Sequence, residues 1–415
     1  MSSTKRIAIV NNGTLPLPAV RGGAVETLIQ LLIDYNEKYH EFRFEIYSVY
    51  DKDAVDASKK YQFSTFHFVK VSRGTIHRMK EFLRMIGNSA SRRLGFYFHP
   101  NDLIVGMVDD IRKRGDNYVD AIVLEGARIN ASYVKRKTGL PVIQRIHNVP
   151  ENRAGRWDIE NAQATDLYLG ISNFICQILK RFEGKYCKNI ELLYNSVDFK
   201  LFDKNLSREE WTNLRKSMGL ASDDFVIVFT GRLQEYKGIR QLVQAVANCK
   251  DIENLKLLIV GSNTFSSEIK TEFEEALYSM VEDNKEKFVF TGYVDYKDIY
   301  RYYKIVDLAV LPSTWEEPFA LTCLEALVCG LPVVITRSGG MPEIVDDKCA
   351  VIVENDDNLT YSLEKEIRRL YHSPAVLSTM ASHAKNRASL FNGDNHYKRF
   401  SNLIKNLLDE NSDSI

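Results

Sequence analysis

Residues 311–343 read LPSTWEEPFALTCLEALVCGLPVVITRSGGMPE. An apolar run ends near Ser313, a mainly apolar stretch follows Pro318, and Gly330 with Pro332 closes it before a second apolar run, Val333–Thr336. Proline suits the first turn of a helix and glycine ends one, so the spacing predicts a helix over about Pro318–Cys329 between two short strands. Glu317 precedes a proline, which keeps it out of helical geometry and in the loop. Backbone N–H groups of Phe319, Ala320, Leu321 and Thr322 are then unpaired at the helix start, where an anion can bind. Glu325 lies two turns further on. The pair can address opposite ends of one molecule, because a carboxylate accepts two hydroxyl hydrogen bonds at once. The plainer alternative has Glu317 capping the helix and Glu325 solvated, but Glu325 sits among Leu324, Ala326, Leu327 and Val328, where a carboxylate needs a partner.

Working outward, short apolar runs alternate with longer amphipathic stretches, the pattern of βαβ units and parallel sheets. Strands are predicted at Arg6–Val10, Arg43–Val49, Phe66–Val69, Ala121–Leu124, Val142–Ile146, Leu167–Ile171 and Ile190–Tyr194. A second set lies at Phe225–Thr230, Lys256–Val260, Phe288–Thr291, Leu308–Leu311, Val333–Thr336 and Ala350–Val353. Several are apolar on both faces, as strands covered on both sides are. A polar stretch between Asp198 and Asp224 separates the two sets. The expected architecture is α/β, with two Rossmann-like domains, 1–203 and 204–395, and a cleft at the carboxyl ends of their strands. Ser207 and Glu210 read as a capping box just after the boundary. Tyr397, Phe400, Leu403, Ile404 and Leu407 recur at helical spacing in the last segment, 396–415.

Three further clusters fall at predicted strand ends. Thr230-Gly231-Arg232 runs on to Lys237-Gly238, and an arginine fork with a compact ammonium can neutralise a diphosphate. Alone, the pair reads equally well as two solvated loop cations. Near the N-terminus Asn11-Asn12-Gly13 is followed by Arg21-Gly22-Gly23 and a helix with Val25, Leu28, Ile29, Leu32 and Ile33 on one face. The glycine pair lets backbone amides approach a ligand closely, though a plain turn explains it too. The GxGxxG fingerprint of nicotinamide enzymes is missing. His147 follows the strand 142–146; a lone histidine is more often structural, and its strand-end position is what favours a site. Glu125 is a weaker candidate on the acceptor side.

Taken together, Glu317 and Glu325 with the Glu-Pro-Phe start, Gly231-Arg232 with Lys237-Gly238, and Gly339-Gly340 with Glu343 resemble retaining glycosyltransferases of family 4, of GT-B fold. Asn195-Ser196-Val197-Asp198 and Phe290-Thr291-Gly292-Tyr293 also fit, so the resemblance spans most of the chain. It implies that Arg232 and Lys237 hold the donor's diphosphate, that Glu317 meets donor-sugar hydroxyls, and that Glu325 meets the ribose. Groups around Tyr293 and Val294 would lie near the base, the Gly22-Gly23 loop over the diphosphate and acceptor, and His147 against the donor sugar near the reacting carbon. The last helix would cross back onto the first domain. The family shows Glu-Pro-Phe-Gly where this chain has Ala320, and the added methyl narrows the sugar pocket. The implied donor is a nucleotide diphosphate sugar, by default a UDP-sugar. The implied acceptor is a glycan or lipid-linked precursor of a bacterial surface polysaccharide.

Composition fits these expectations. Lys and Arg number 55, as do Asp and Glu, giving zero net charge and arguing against a surface devoted to nucleic acid. The six cysteines form no CxxC and no zinc-like spacing with histidine, and read as buried thiols in a reducing compartment. Without an apolar N-terminal run or a membrane-length apolar stretch, the expected location is cytoplasmic. Between residues 70 and 98, Lys70, Arg73, Arg78, Lys80, Arg84, Arg92 and Arg93 face a single acid, Glu81, with aromatic residues interspersed. Such a segment can lie on an anionic membrane surface, or be a solvated helix with a core face. No metal or other cofactor is expected, and Asp51-Lys52-Asp53 is the weak rival for a metal-dependent transferase. A nucleotide-sugar epimerase, a non-catalytic sugar-binding or coat protein and a nicotinamide dehydrogenase compete with the transferase reading.

Overall fold

The computed structural model describes residues 4–70, 101–115, 118–126, 130–150, 156–187, 189–262 and 271–412. Apart from Lys70, the basic segment 70–98 lies outside them. The described residues build two all-parallel sheets. The first holds β1 (Arg6–Val10), β2 (Arg43–Val49), β3 (Ser64–Val69), β4 (Ala121–Glu125), β5 (Val142–Ile146), β6 (Leu167–Gly170) and β7 (Ile190–Leu192), in the order 3-2-1-4-5-6-7. The second holds β8 (Phe225–Thr230), β9 (Leu255–Val260), β10 (Phe288–Gly292), β11 (Leu308–Leu311), β12 (Val333–Thr336) and β13 (Ala350–Val353), in the order 10-9-8-11-12-13. This is the expected pair of Rossmann-like domains.

Each sheet is held by apolar side chains on both faces. In the second, Ile227, Leu257 and Val310 pack beneath the helix Ile239–Asn248, which buries Ile239, Leu242, Val243 and Val246 on one face. That spacing is one stripe of a 3.6-residue repeat. The order of each sheet reverses beside its first strand, between β1 and β4 and between β8 and β11. Ligands of such sheets bind at the carboxyl ends of the strands on either side of such a reversal.

The contacts divide the chain into Met1–Asn195 with Gly393–Ile415, and Ser196–Asn392. The boundary expected between 203 and 204 is thus displaced. Residues 196–203 pack on the second unit because Phe202 is buried there, edge-on to Tyr296 at 5.5 Å, with its carbonyl accepting from the Cys329 thiol at 3.2 Å. The second boundary falls three residues before the expected one. Asp394 already belongs to the first unit, where it takes a 2.6 Å bond from Lys38. The helix Gly393–Ser412 then buries Tyr397, Phe400, Leu403, Ile404 and Leu407 with Ile29, Leu32 and Ile33 of the first unit. Tyr397 also donates to Asn36 at 2.6 Å.

Ser207 and Glu210 form the expected capping box on the helix Arg208–Ser217. All six cysteines are buried and outside any disulfide. No described helix is long and apolar enough to cross a membrane.

Candidate functional site

In the second unit, the loops after β8 and β11 are laced together. The Tyr236 carbonyl accepts from the Thr314 N–H at 2.9 Å and from the Thr314 and Ser313 hydroxyls at 3.2 and 3.3 Å. Gly238, at φ 71°, closes the turn against Pro312, whose carbonyl oxygen would stand 1.8 Å from any Cβ at that position. This contact brings the lysine after β8 to the glutamate after β11. The Lys237 ammonium donates to Glu317 Oε1, which also accepts from the Ser313 hydroxyl at 2.9 Å. The ammonium lies over the rings of Tyr236 and Trp315, 5.6 and 5.5 Å from their centroids. Arg232 is exposed, with one guanidinium nitrogen donating to the Tyr236 hydroxyl at 3.1 Å.

Behind Glu317, Gly339 at φ 54° lies so close that a Cβ would stand 2.2 Å from the Glu317 carbonyl oxygen. The Gly340 N–H donates to that oxygen at 2.7 Å. The Gly-Gly pair therefore serves as backing for the acidic loop. The following helix begins at Leu321, three residues later than the predicted Pro318, and ends at Val328. Phe319 is buried against Phe391, and Ala320 takes φ −84°, ψ 95°, so Pro318–Ala320 stay outside the helix. The amides of Leu321 and Thr322 remain those of a helical first turn, whereas those of Phe319 and Ala320 belong to the loop. Gly330, at φ 85°, ends the helix, with Leu331 N–H returning to the Ala326 carbonyl at 3.0 Å.

Glu325 is buried and accepts from the Tyr303 hydroxyl at 3.3 Å; that hydroxyl also pairs with Thr230 at 2.6 Å. Burial pushes the Glu325 carboxyl up to about 7, the Tyr303 bond opposing only part of the shift. Tyr293 is exposed and follows β10, with Val294 beside it. Beside them, the N–H of Gly261 after β9 donates to Gly292 at 3.1 Å, and a Cβ at Gly261 would meet the Gly231 carbonyl at 2.1 Å.

In the first unit, Gly22 and Gly23 have φ of 71° and 99°. A Cβ at Gly23 would stand 2.2 Å from Glu26 Oε2, so only glycine fits beside that buried carboxylate. Asn11 donates to Glu26 Oε1 and to the Leu15 carbonyl, both at 2.9 Å, fixing the loop after β1. His147 and Glu125, at the ends of β5 and β4, are joined at 2.6 Å from His147 Nε2 to Glu125 Oε2. Glu125 is thus a partner of His147 inside the fold. Asp51 caps the helix Lys52–Ser58 through the amides of Asp53 and Ala54, and Arg21 bonds Asp51 and Asp53 at 3.0 and 2.7 Å. Both acids of the Asp-Lys-Asp run are thereby engaged as structural partners.

Several site neighbours escape a reading of the sequence. Tyr236, Trp315 and Tyr303 carry no motif. Arg145 carries a signal that can be read: a charged residue inside the apolar strand Val142–Ile146 demands a buried partner.

Residues 211–387 match the family described as Glycosyl transferases group 1. An uncharacterized glycosyltransferase of Methanocaldococcus jannaschii is 30% identical over 240 residues, which are 54% of this chain and 60% of that protein. Spore coat protein SA of Bacillus subtilis is 23% identical over 364 residues, 85% of this chain and 86% of that one. The Anabaena protein HepE, solved in complex with UDP-glucose, superimposes with a TM-score of 0.70 at 19% identity, over 99% of this chain and all of HepE. That likeness shows the fold, which is the GT-B fold. Residues 211–387 thus match a glycosyl transferases group 1 domain, and the matches together support a glycosyltransferase.

Proposed function

We propose that the chain is a metal-independent, retaining glycosyltransferase of family 4 that moves a sugar from a UDP-sugar to a glycan or lipid-linked acceptor. The observation that carries this is the convergence of Arg232, Lys237 and Glu317 on adjoining loops at the β8–β11 switch point, beside the amides of Leu321 and Thr322. Arg232, Lys237 and these amides meet the charge that develops on the departing diphosphate, the role a metal plays in other transferases. Glu317 binds donor-sugar hydroxyls and Glu325 the ribose, with the Phe319 and Ala320 backbone and the Ala320 methyl beside the sugar, Tyr293 and Val294 near the base, and Gly22-Gly23 supplying close-approaching amides. His147 contacts the donor sugar. The C1–phosphate bond breaks while the acceptor oxygen attacks from the same face, and the acceptor's proton passes to a departing phosphate oxygen. The proposed setting is bacterial surface polysaccharide synthesis at the cytoplasmic face of a membrane, with residues 70–98 as the peripheral contact.

The support is threefold: the family match, the fold shared with a UDP-glucose complex, and the presence of Arg232, Lys237, Glu317 and Glu325 around one pair of neighbouring strands. Crystals soaked with UDP test it. Nucleotide bound away from Arg232, Lys237 and Glu317 ends the reading, and a product of inverted anomeric configuration ends its stereochemical part. Activity abolished by EDTA ends the metal-independent part. The relative named for a spore coat favours a second reading, a non-catalytic sugar-binding protein; it predicts nucleotide binding with no UDP release from any UDP-sugar.

A further inference from the structure

The carboxyl ends of β4 and β5 hold a buried polar chain in which the histidine is the outermost member. Glu125 and Arg145 are both fully buried. Glu125 Oε2 bonds His147 Nε2 at 2.6 Å, and Glu125 Oε1 faces Arg145 Nη1 at 3.6 Å. Arg145 Nη2 in turn donates to Asn195 Oδ1 at 2.8 Å and to His396 Nε2 at 3.3 Å. His396 stands on the C-terminal helix, 251 residues away, and its Nδ1 lies 2.6 Å from the Tyr194 carbonyl oxygen.

These partners settle both tautomers. A carbonyl only accepts, so His396 carries its proton on Nδ1 and offers Nε2 as the lone pair that Arg145 needs. The arginine holds Glu125 below the usual carboxylate range against its burial. An ionised Glu125 also only accepts, so His147 carries a proton on Nε2. Burial, with Arg145 adding to it, lowers His147, while Glu125 opposes. Glu26, the remaining acid nearby, is itself raised by burial. The charges of Glu125 and Arg145 balance, and a second proton on His147 would upset that balance in a desolvated place. His147 is therefore neutral with Nδ1 as an acceptor, and no described residue bonds that nitrogen.

We propose that Glu125 is a positioning residue that, braced by Arg145 and by His396 of the C-terminal helix, fixes His147 as the Nε2–H tautomer. Nδ1 then accepts from a neutral hydroxyl of the ligand. Resting on the glycosyl-transfer reading, this assigns the moiety beside His147 to a neutral, hydroxyl-bearing sugar and disfavours a carboxylate there, since a lone pair backed by a buried acid repels an anion.

The test begins with the unaltered protein. Long-range proton–nitrogen spectra of 15N-histidine protein, assigned with H147Q, should show His147 as the neutral Nε2–H tautomer from pH 6 to 8. An Nδ1–H tautomer or an imidazolium overturns the proposal, whatever any variant does. E125Q should then lower kcat/KM for UDP-glucose by about tenfold to a hundredfold, as small misplacements of reacting groups do. Affinity for UDP itself should stay within about twofold. Equal losses for UDP and UDP-glucose would show a general structural defect and overturn the positioning role. UDP-glucuronate binding at least as tightly as UDP-glucose overturns the hydroxyl assignment. A protein that binds no nucleotide at all, yet shows the Nε2–H tautomer, sinks the glycosyl-transfer reading while upholding the Glu125–His147 geometry.

Discussion

Lys237 and Glu317 are bonded to each other, the ammonium of one loop on the carboxylate of the next, with the Ser313 hydroxyl completing the carboxylate's shell. In the proposed reaction each of them also has a partner on the donor. A diphosphate arriving beside Lys237 supplies two negative charges where Glu317 supplies one, so the lysine shifts toward phosphate and Glu317 is released toward hydroxyls. K237A and R232A should each lower turnover by about 10²–10³-fold, the usual loss for one preorganised charge-stabilising group. E317A combined with K237A should cost less than the two single losses multiplied, because contacting residues are not independent. UDP release from a turned-over UDP-sugar measures both, and near-native turnover in K237A and R232A removes the mechanism.

Gly238 predicts a structural cost at the same place. Alanine there must hold φ near 71° and force its methyl into the Pro312 carbonyl. Strain and overpacking each cost about 1–3 kcal/mol. G238A should therefore lower the second unit's unfolding free energy by about 2–4 kcal/mol, read as a shift in denaturant midpoint at constant m. An unchanged midpoint would show that the loop is free to part from β11.

Glu325 gives a pH dependence of defined sign. Its folded value of about 7 lies above the ordinary 4.5, so the folded chain keeps a proton that the unfolded chain releases. Its contribution to stability is accordingly greatest below pH 4.5 and is lost as pH rises toward 7. Ribose hydroxyls donate to the ionised form, so UDP affinity should weaken below pH 7, approaching tenfold per pH unit. E325Q should flatten both profiles. Calorimetry in two buffers of different ionisation enthalpy checks the proton release, and a pH-independent affinity in the unaltered protein would detach Glu325 from the nucleotide.

Tyr236 orients Arg232 through a hydroxyl that accepts from the guanidinium at 3.1 Å. Y236F keeps the ring against Trp315, whose centroid is 5.1 Å away, and removes that acceptor together with the hydroxyl's bond to the Gln234 side chain. Apparent affinity for UDP should fall about fivefold to tenfold, the worth of one hydrogen bond to a charged group, with the melting temperature nearly unchanged. A large melting shift would mean that the hydroxyl braces the fold instead.

The parallel sheets were legible because buried strands write continuous apolar runs: β1, β2, β5, β8, β11, β12 and β13 have the predicted bounds, and the other strands end within two residues of theirs. The helix start at 318 was not legible. Proline permits a first turn there, but Phe319 gains more by burial against Phe391, 72 residues on, than by joining the helix. The unit boundary fails for the same reason: Phe202 sits in a polar stretch of sequence, yet its ring has a berth on the second unit. Lys237 and Glu317 were each legible as site candidates, whereas their pairing depends on Gly238 meeting Pro312, a contact between loops that no local pattern encodes. Arg145 and His396 lie 251 residues apart and meet only through the returning helix.

The six buried thiols should make the native chain slow to react with an alkylating reagent. Cys176 and Cys187 lie in the first unit and Cys249, Cys323, Cys329 and Cys349 in the second. The mass gained at each set, followed over time in a maleimide solution, would act as a pair of clocks, one reporting how often the first sheet opens and the other the second. A single cysteine placed on the surface would meanwhile react alone, giving a dye or spin label a unique address without removing any native thiol.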